Sequence, residues 1–396
     1  MAGSCLATAS PLGASAVPPF TEKTIRDRGL PFPLVRRVFE EDRPLELYLG
    51  GELGPIDVAY HTYGQLDESG TNAILVCHAM TGDAYVARPT GASTDLPEGW
   101  WESIIGPGRP LDTNKYFVVC SNILGSCYGT TGPTSLNPRT GCPYGPEFPS
   151  ITVRDMVRVQ KALLDQLGVN RLALVIGGSL GGMQVLEWAL LFPERVEAIA
   201  PIATVARHTD WAIALNEVAR LAITSDPAFQ AGAYREQPER GLALARMMAM
   251  LSYRHYESYN SNFDRKPDRR EKTFADPFGS NRDFAVESYL RYQGRKLVNR
   301  FDANSYIAIS RAMDAHDIAR DRGTLAEVLA SIRLETLCVG IDSDLLYPAS
   351  DQRALADTIP GASYGEIRSI HGHDAFLIEF DQFQAILKPF LEELGS

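Results

Sequence analysis

The stretch Leu172-Ala-Leu-Val-Ile-Gly-Gly-Ser-Leu-Gly-Gly-Met-Gln184 constrains this chain more than any other. The apolar run from Leu172 to Ile176 predicts a buried parallel strand. It breaks at Gly177-Gly178-Ser179-Leu180-Gly181-Gly182, and a helical pattern follows through Met183, Val185, Leu186, Trp188, Ala189 and Leu190. Strand, sharp turn and helix with Gly-x-Ser-x-Gly at the turn describe a nucleophile elbow. Ser179 must then take a strained backbone conformation to present its hydroxyl. The residues two before and two after it must be glycine, because a Cβ there would meet strand or helix. The helix N-terminus offers a free N–H and the positive end of a dipole to a developing oxyanion. A phosphate-binding P-loop is excluded because no Gly-Lys-Ser/Thr ends the turn. A dinucleotide fingerprint is excluded because Gly178 and Gly181 flank a serine at the wrong spacing.

The rest of the chain supplies a matching rhythm. Ala73–Cys77 and Tyr116–Cys120 are continuous apolar runs, as strands covered on both faces should be, and Val196–Ile202 reads as another buried strand. Leu334–Gly340 and Tyr364–Ile370 read as later strands. Thr152 to Leu167 has helical spacing, with Gly168 as its C-cap. Leu45–Leu49 and Ile56–Thr62 alternate apolar and polar residues around glycines and predict an antiparallel hairpin. Gly125 to Pro149 is dense in Gly, Pro, Ser and Thr, which predicts a long ordered loop. Between Arg207 and about Gly323 the strand rhythm gives way to helical and irregular sequence. The expected organisation is a loosely ordered arm over residues 1–30, an α/β core over 31–206 and 324–396, and a helical lid over 207–323.

Composition narrows the function classes. The formal net charge of −11 and a pI near 5.2 argue against a nucleic-acid partner. Cys5, Cys77, Cys120, Cys127, Cys142 and Cys338 show no Cys-x-x-Cys spacing, which fits a reducing compartment. No signal-like start or membrane-length apolar segment is found, so a cytoplasmic protein without membrane partners is expected.

A serine nucleophile needs a base, and the base needs an acid to orient it. With an elbow serine the partners follow in the order Asp or Glu, then His, in loops after late strands. Ile341-Asp-Ser-Asp-Leu-Leu-Tyr-Pro348 and His371-Gly-His-Asp-Ala-Phe376 occupy those places. Spacing leaves both Asp342 and Asp344, and both His371 and His373, open. This ordered constellation is that of an α/β-hydrolase fold: a mostly parallel sheet flanked by helices, with the helical lid inserted. The oxyanion donors expected are the backbone N–H of Leu180 and, from the loop after the third strand, that of Met80. A metal reading of His371-Gly-His373-Asp374 lacks a second ligand cluster, so no metal is expected.

Several longer motifs are more specific. Cys77-His-Ala-Met-Thr-Gly-Asp83, Asn137 to Pro149, the elbow, Ala245-Arg246 through Tyr253-Arg254, Asp342 to Pro348 and Gly372 to Phe376 together resemble the homoserine O-acetyltransferases of methionine biosynthesis. The resemblance runs from about Leu45 to near the C-terminus. It implies Ser179 as nucleophile, Asp344 as acid and His373 as base. It implies Arg246 for the carboxylate of homoserine, Asp374 for its amino group, and Tyr253 beside the substrate. A zwitterionic acceptor does need one fixed cation and one fixed anion. The resemblance also implies acetyl-CoA as co-substrate, no permanently bound cofactor, and a homodimer. Homoserine O-succinyltransferases and serine acyltransferases carry similar core motifs, and an esterase could use the same triad.

Overall fold

Ala73 to Cys77 form a strand without a polar side chain, and successive residues enter different cores. Ala73, Leu75 and Cys77 join one hydrophobic cluster, while Ile74 and Val76 join another. All five are fully buried, as expected for a strand covered by helices on both faces. The structure, a computed structural model, describes residues 19–89, 91–267 and 284–394.

The main sheet is built from β1 (Leu34–Phe39), β2 (Ile56–Tyr63), β3 (Ala73–Cys77), β4 (Phe117–Ser121), β5 (Leu172–Gly178), β6 (Val196–Ile202), β7 (Glu335–Ile341) and β8 (Ser363–Ile367). Their order across the sheet is β1-β2-β4-β3-β5-β6-β7-β8. β2 is antiparallel to both β1 and β4. Every other neighbouring pair is parallel.

The helices in the first half are α1 (Pro19–Arg28), α2 (Val153–Gln166) and α3 (Leu180–Leu191). α2 begins with a capping box between Thr152 and Asp155 and is followed by Gly168 at φ 78°, so its start and stop are written locally. Between β6 and β7 come α4 (Asp210–Thr224), α5 (Glu239–Tyr253), α6 (Tyr256–Phe263), α7 (Ala285–Val298), α8 (Ala303–Asp314) and α9 (Leu325–Ser331). α10 (Ala349–Thr358) and α11 (Phe380–Leu394) complete the set. Residues of α2, α3, α9 and α10 pack on one face of the sheet. Phe383, Leu387 and Phe390 of α11 pack on the other. α4, α5, α7 and α8 pack chiefly on one another. Among the described residues no helix is long and apolar enough to cross a membrane.

Two expectations need correction. The arm over residues 1–30 is not loosely ordered over 19–28. There α1 is seated on the core, with the Thr21 hydroxyl donating to the Cys127 carbonyl at 2.8 Å and Ile25 only 5% exposed. Residues 1–18 lie outside the described residues. The expected hairpin also fails. Leu45–Glu46 pairs with Glu52–Leu53, while β2 takes β1 and β4 as partners. Alternation marked these segments as strands, but it carries no information about which strand pairs with which. β1 escaped notice because Arg36-Arg37 interrupts its apolar run.

The predicted loop after Gly125 is held from within. The Thr130 hydroxyl donates to Asn122 O at 2.7 Å and accepts from the amide of Ala59 at 3.0 Å.

Candidate active site

At the end of β5 the chain turns into α3 through Ser179, whose backbone sits at φ 59°, ψ −123°. Such a conformation costs a non-glycine residue roughly 1–3 kcal/mol and survives only where the surroundings over-determine it. They do so here. The Ser179 amide donates to Ile202 O at 2.9 Å, and its carbonyl accepts from the Thr204 hydroxyl at 2.8 Å. A Cβ on Gly181 would lie 2.1 Å from the Cys77 carbonyl oxygen, and one on Gly177 would lie 2.5 Å from the same atom. Both glycines are therefore required sterically by the close crossing of the elbow and the end of β3.

Two loops that follow parallel strands bring together Asp344 and His373, the expected acid and base. After β7, Asp344 is 4% exposed; after β8, His373 is 3% exposed. His373 Nδ1 lies 2.6 Å from Asp344 Oδ2. Asp344 Oδ1 accepts from the amides of Leu346 at 2.8 Å and Tyr347 at 2.9 Å. His373 Nε2 is buried and has no hydrogen-bond partner among the described residues. Burial works against the imidazolium, but the Asp344 charge, its hydrogen bond and Asp374 outweigh it, so the His373 pKa is raised above its ordinary value. The alternatives lie elsewhere. Asp342 Oδ1 accepts from the Ser369 amide at 3.0 Å, a bond that ties the loop after β7 to the loop after β8. His371 Nδ1 lies 3.3 Å from Arg254.

Among the described residues the amides of Met80 and Leu180 have no hydrogen-bond acceptor. Leu180 opens α3, where a helix leaves its N–H groups without an intrahelical partner. The loop that carries Met80 is braced by groups not singled out in the sequence. Buried His78 contacts Ala79 O at 2.8 Å through Nδ1 and accepts from the Ile123 amide at 3.2 Å through Nε2. Burial lowers its pKa, which keeps it neutral and able to accept. Gln184 donates to His78 O at 3.3 Å and to Leu180 O at 3.1 Å, which ties the Met80 loop to the start of α3.

A cavity of about 310 Å³ opens beside Ser179 and is shared by Met80, His373, Arg246, Tyr253 and Asp374. It lies at the carboxyl ends of the strands, where open α/β sheets place their ligands. Arg246, on α5, makes no hydrogen bond or ion pair among the described residues. Its guanidinium stands 5.5 Å from the centre of the Tyr253 ring. The Tyr253 ring is in turn 5.8 Å from that of His373. Asp374 is 3.3 Å from Arg254 Nε, a contact that the sequence reading missed. Arg254 was visible only as part of a motif; its bracing of Asp374 depends on how α5 meets the loop after β8.

The antiparallel second strand, the strained serine at the strand-to-helix turn and the buried His–Asp pair define an α/β-hydrolase-fold protein of the serine-nucleophile type. A family model described as alpha/beta hydrolase fold matches residues 72–380. The homoserine O-acetyltransferase of Moorella thermoacetica is 50% identical over 367 residues, 90% of this chain and 96% of that one. The crystal structure of the homoserine O-acetyltransferase from Bacillus anthracis superposes with a TM-score of 0.81 at 29% identity, covering 91% of this chain and 98% of that one. An acetylester hydrolase from Corynebacterium glutamicum superposes at 0.79 and 25% identity, covering 95% and 99%. This chain belongs to the homoserine O-acetyltransferase family.

Proposed function

We propose that the protein transfers an acetyl group from acetyl-CoA to the hydroxyl of L-homoserine, giving O-acetyl-L-homoserine and CoA in methionine biosynthesis. The observation that carries this reading is one cavity holding both a serine beside a buried His–Asp pair and an unpaired guanidinium near a braced carboxylate. The pair suits the two charges of an amino acid, and an esterase acting on neutral acyl esters would have no use for it.

Ser179 acts as the nucleophile. His373, its Nδ1 held by Asp344, takes the serine proton at Nε2 as the hydroxyl attacks the thioester carbonyl. The amides of Met80 and Leu180 hold the oxyanion, and CoA leaves, protonated by His373. Homoserine then binds with its carboxylate on Arg246 and its ammonium on Asp374, beside Tyr253. His373 takes the homoserine hydroxyl proton as that oxygen attacks the acyl carbonyl, the ester bond to Ser179 breaks, and His373 returns the proton to the serine oxygen. The helices α4 to α8 serve as a lid that keeps water from the acyl-enzyme. Acetyl-CoA comes and goes as a co-substrate, and no resident cofactor is needed. The hydrolase alternative draws on the likeness to the acetylester hydrolase. Incubating the protein with acetyl-CoA separates the two readings. CoA release should rise sharply when homoserine is added, and equal release with and without it would favour hydrolysis.

Acceptor recognition can be separated from the chemistry. Arg246→Ala is expected to spare acylation of Ser179 and to slow transfer to homoserine. The loss of a charge-assisted hydrogen bond costs about 1.5–3 kcal/mol, or roughly ten- to hundredfold. Arg246→Lys should recover only part of this, because lysine lacks the planar fork. Single-turnover kinetics of the two halves test this, and equal damage to both halves would remove Arg246 from acceptor binding.

A homodimer also belongs to this reading. Trp211, Val218 and Leu221 on α4 and Leu244 and Leu251 on α5 are exposed large apolar side chains, on two helices that pack together. Apolar surface gathered in this way is characteristic of an interface. Light scattering should give twice the 43.5 kDa chain mass, and Leu221→Glu with Leu251→Glu should shift it towards the monomer. A wild-type monomer would sink the idea. A cytoplasmic location is supported by the buried thiols of Cys77, Cys120, Cys127 and Cys338.

A further inference from the structure

The cavity beside Ser179 holds more positive charge than the acceptor can use. Arg28, Arg246, Lys296 and Arg300 line it, against the carboxylates of Asp83 and Asp374. Homoserine is a zwitterion, so it engages Arg246 and Asp374 and brings no net charge. Of the remaining groups, Arg28 is paired with Asp83 at 2.5 Å. Arg300 donates to Thr81 O and to the Tyr128 hydroxyl, both at 2.6 Å. Lys296 makes no hydrogen bond or ion pair among the described residues, and it stands exposed on α7 at the cavity rim. Partial desolvation, followed by the charges of Arg300, Arg246 and Arg28, lowers its pKa. These cations crowd one another although the chain as a whole carries a net charge of −11. Like charges held together in a cleft are unfavourable until an anion joins them.

We propose that Lys296, with Arg28 beside it, is the subsite for the phosphate groups of the acyl donor. The inference rests on the acyl-transfer reading above and adds the part of the site that would recognise the nucleotide end of a CoA thioester. A polyanion matches the surplus cations, which neither a zwitterionic acceptor nor a neutral acetyl group can satisfy. Arg28 reaches the cavity only because α1 is seated on the core through Thr21 and its guanidinium lies 5.9 Å from the centre of the Tyr128 ring. The N-terminal helix thereby becomes part of the donor site.

The test compares acetyl-CoA with S-acetyl-N-acetylcysteamine, which has the same thioester and no phosphate, as donors to homoserine. Lys296→Gln is expected to lower the ratio of kcat/KM for acetyl-CoA to that for the short thioester about tenfold, mainly through KM, and Arg28→Gln should act in the same direction. Adenosine 3′,5′-bisphosphate should compete with acetyl-CoA in the wild type, with an inhibition constant about tenfold weaker in Lys296→Gln. Equal losses with both donors, or an unchanged ratio and inhibition constant, would overturn the subsite while leaving acyl transfer standing. A wild-type protein that accepts acetyl from neither thioester would overturn the acyl-transfer reading, and the subsite with it.

Discussion

Ser179→Ala is expected to reduce acyl transfer by about 10⁴-fold or more, as removal of a nucleophile does in triad enzymes. The fold should survive. Alanine faces the same strained φ of 59° that serine already tolerates. Among the described residues the Ser179 hydroxyl has no hydrogen-bond partner, so its loss leaves none unsatisfied. The change in stability should stay within about 1 kcal/mol, as read by thermal denaturation. Mass spectrometry of the wild type with acetyl-CoA alone should find one acetyl group, on the peptide containing Ser179. The competitor worth watching is Cys77, which also lines the cavity. Burial pushes its thiol pKa far up, and a protonated thiol is a poor nucleophile. An acetyl group on Cys77 in place of Ser179 would overturn the assignment.

Asp344→Asn is expected to lower turnover by about 10³- to 10⁴-fold, and the structure gives the reason. Oδ1 accepts from two backbone amides, Leu346 and Tyr347. The asparagine carbonyl must occupy that position, which turns its NH₂ towards His373 Nδ1. The imidazole then has to accept there and carry its proton on Nε2, where it cannot take one from Ser179. A pH profile adds a second readout. Neutral His373 is the proposed base, and its pKa is raised above the ordinary value near 6.5. The rate of acylation should therefore fall as pH drops through an apparent pKa above 6.5. In Asp344→Asn, burial is no longer opposed by that carboxylate, so the acid limb of the residual activity should move to lower pH. Asp342→Asn, which alters a bond to the Ser369 amide, should cost less than tenfold. If Asp342→Asn showed the larger loss and the shifted limb, the choice of acid would be wrong.

The sequence by itself determined what is written in local patterns. Leu172 to Gln184 specifies strand, tight turn and helix because apolar period, glycine placement and the need for a close crossing all fall within thirteen residues. The apolar run at Ala73–Cys77 implies helices on both faces, since no polar side chain is available to meet water. The chain order of serine, acid and histidine was legible for the same reason. Each follows a recognisable strand. The tertiary structure alone decided between neighbours two residues apart. Asp344 and His373 meet because two backbone amides fix one carboxylate and leave its second oxygen aimed at Nδ1, 29 residues away in sequence. Asp342 and His371 have the same chemistry and equivalent spacing, but their bonds go elsewhere. Strand partners were also hidden, since alternation marks a surface and not its neighbour, and so β1 and the true partners of β2 appeared only in the folded sheet. The placement of α1, the bracing of Asp374 by Arg254 and the surplus of cations around the cavity all join segments far apart in the chain. Charge balance within a cavity is a property of what the fold encloses, and no run of sequence states it.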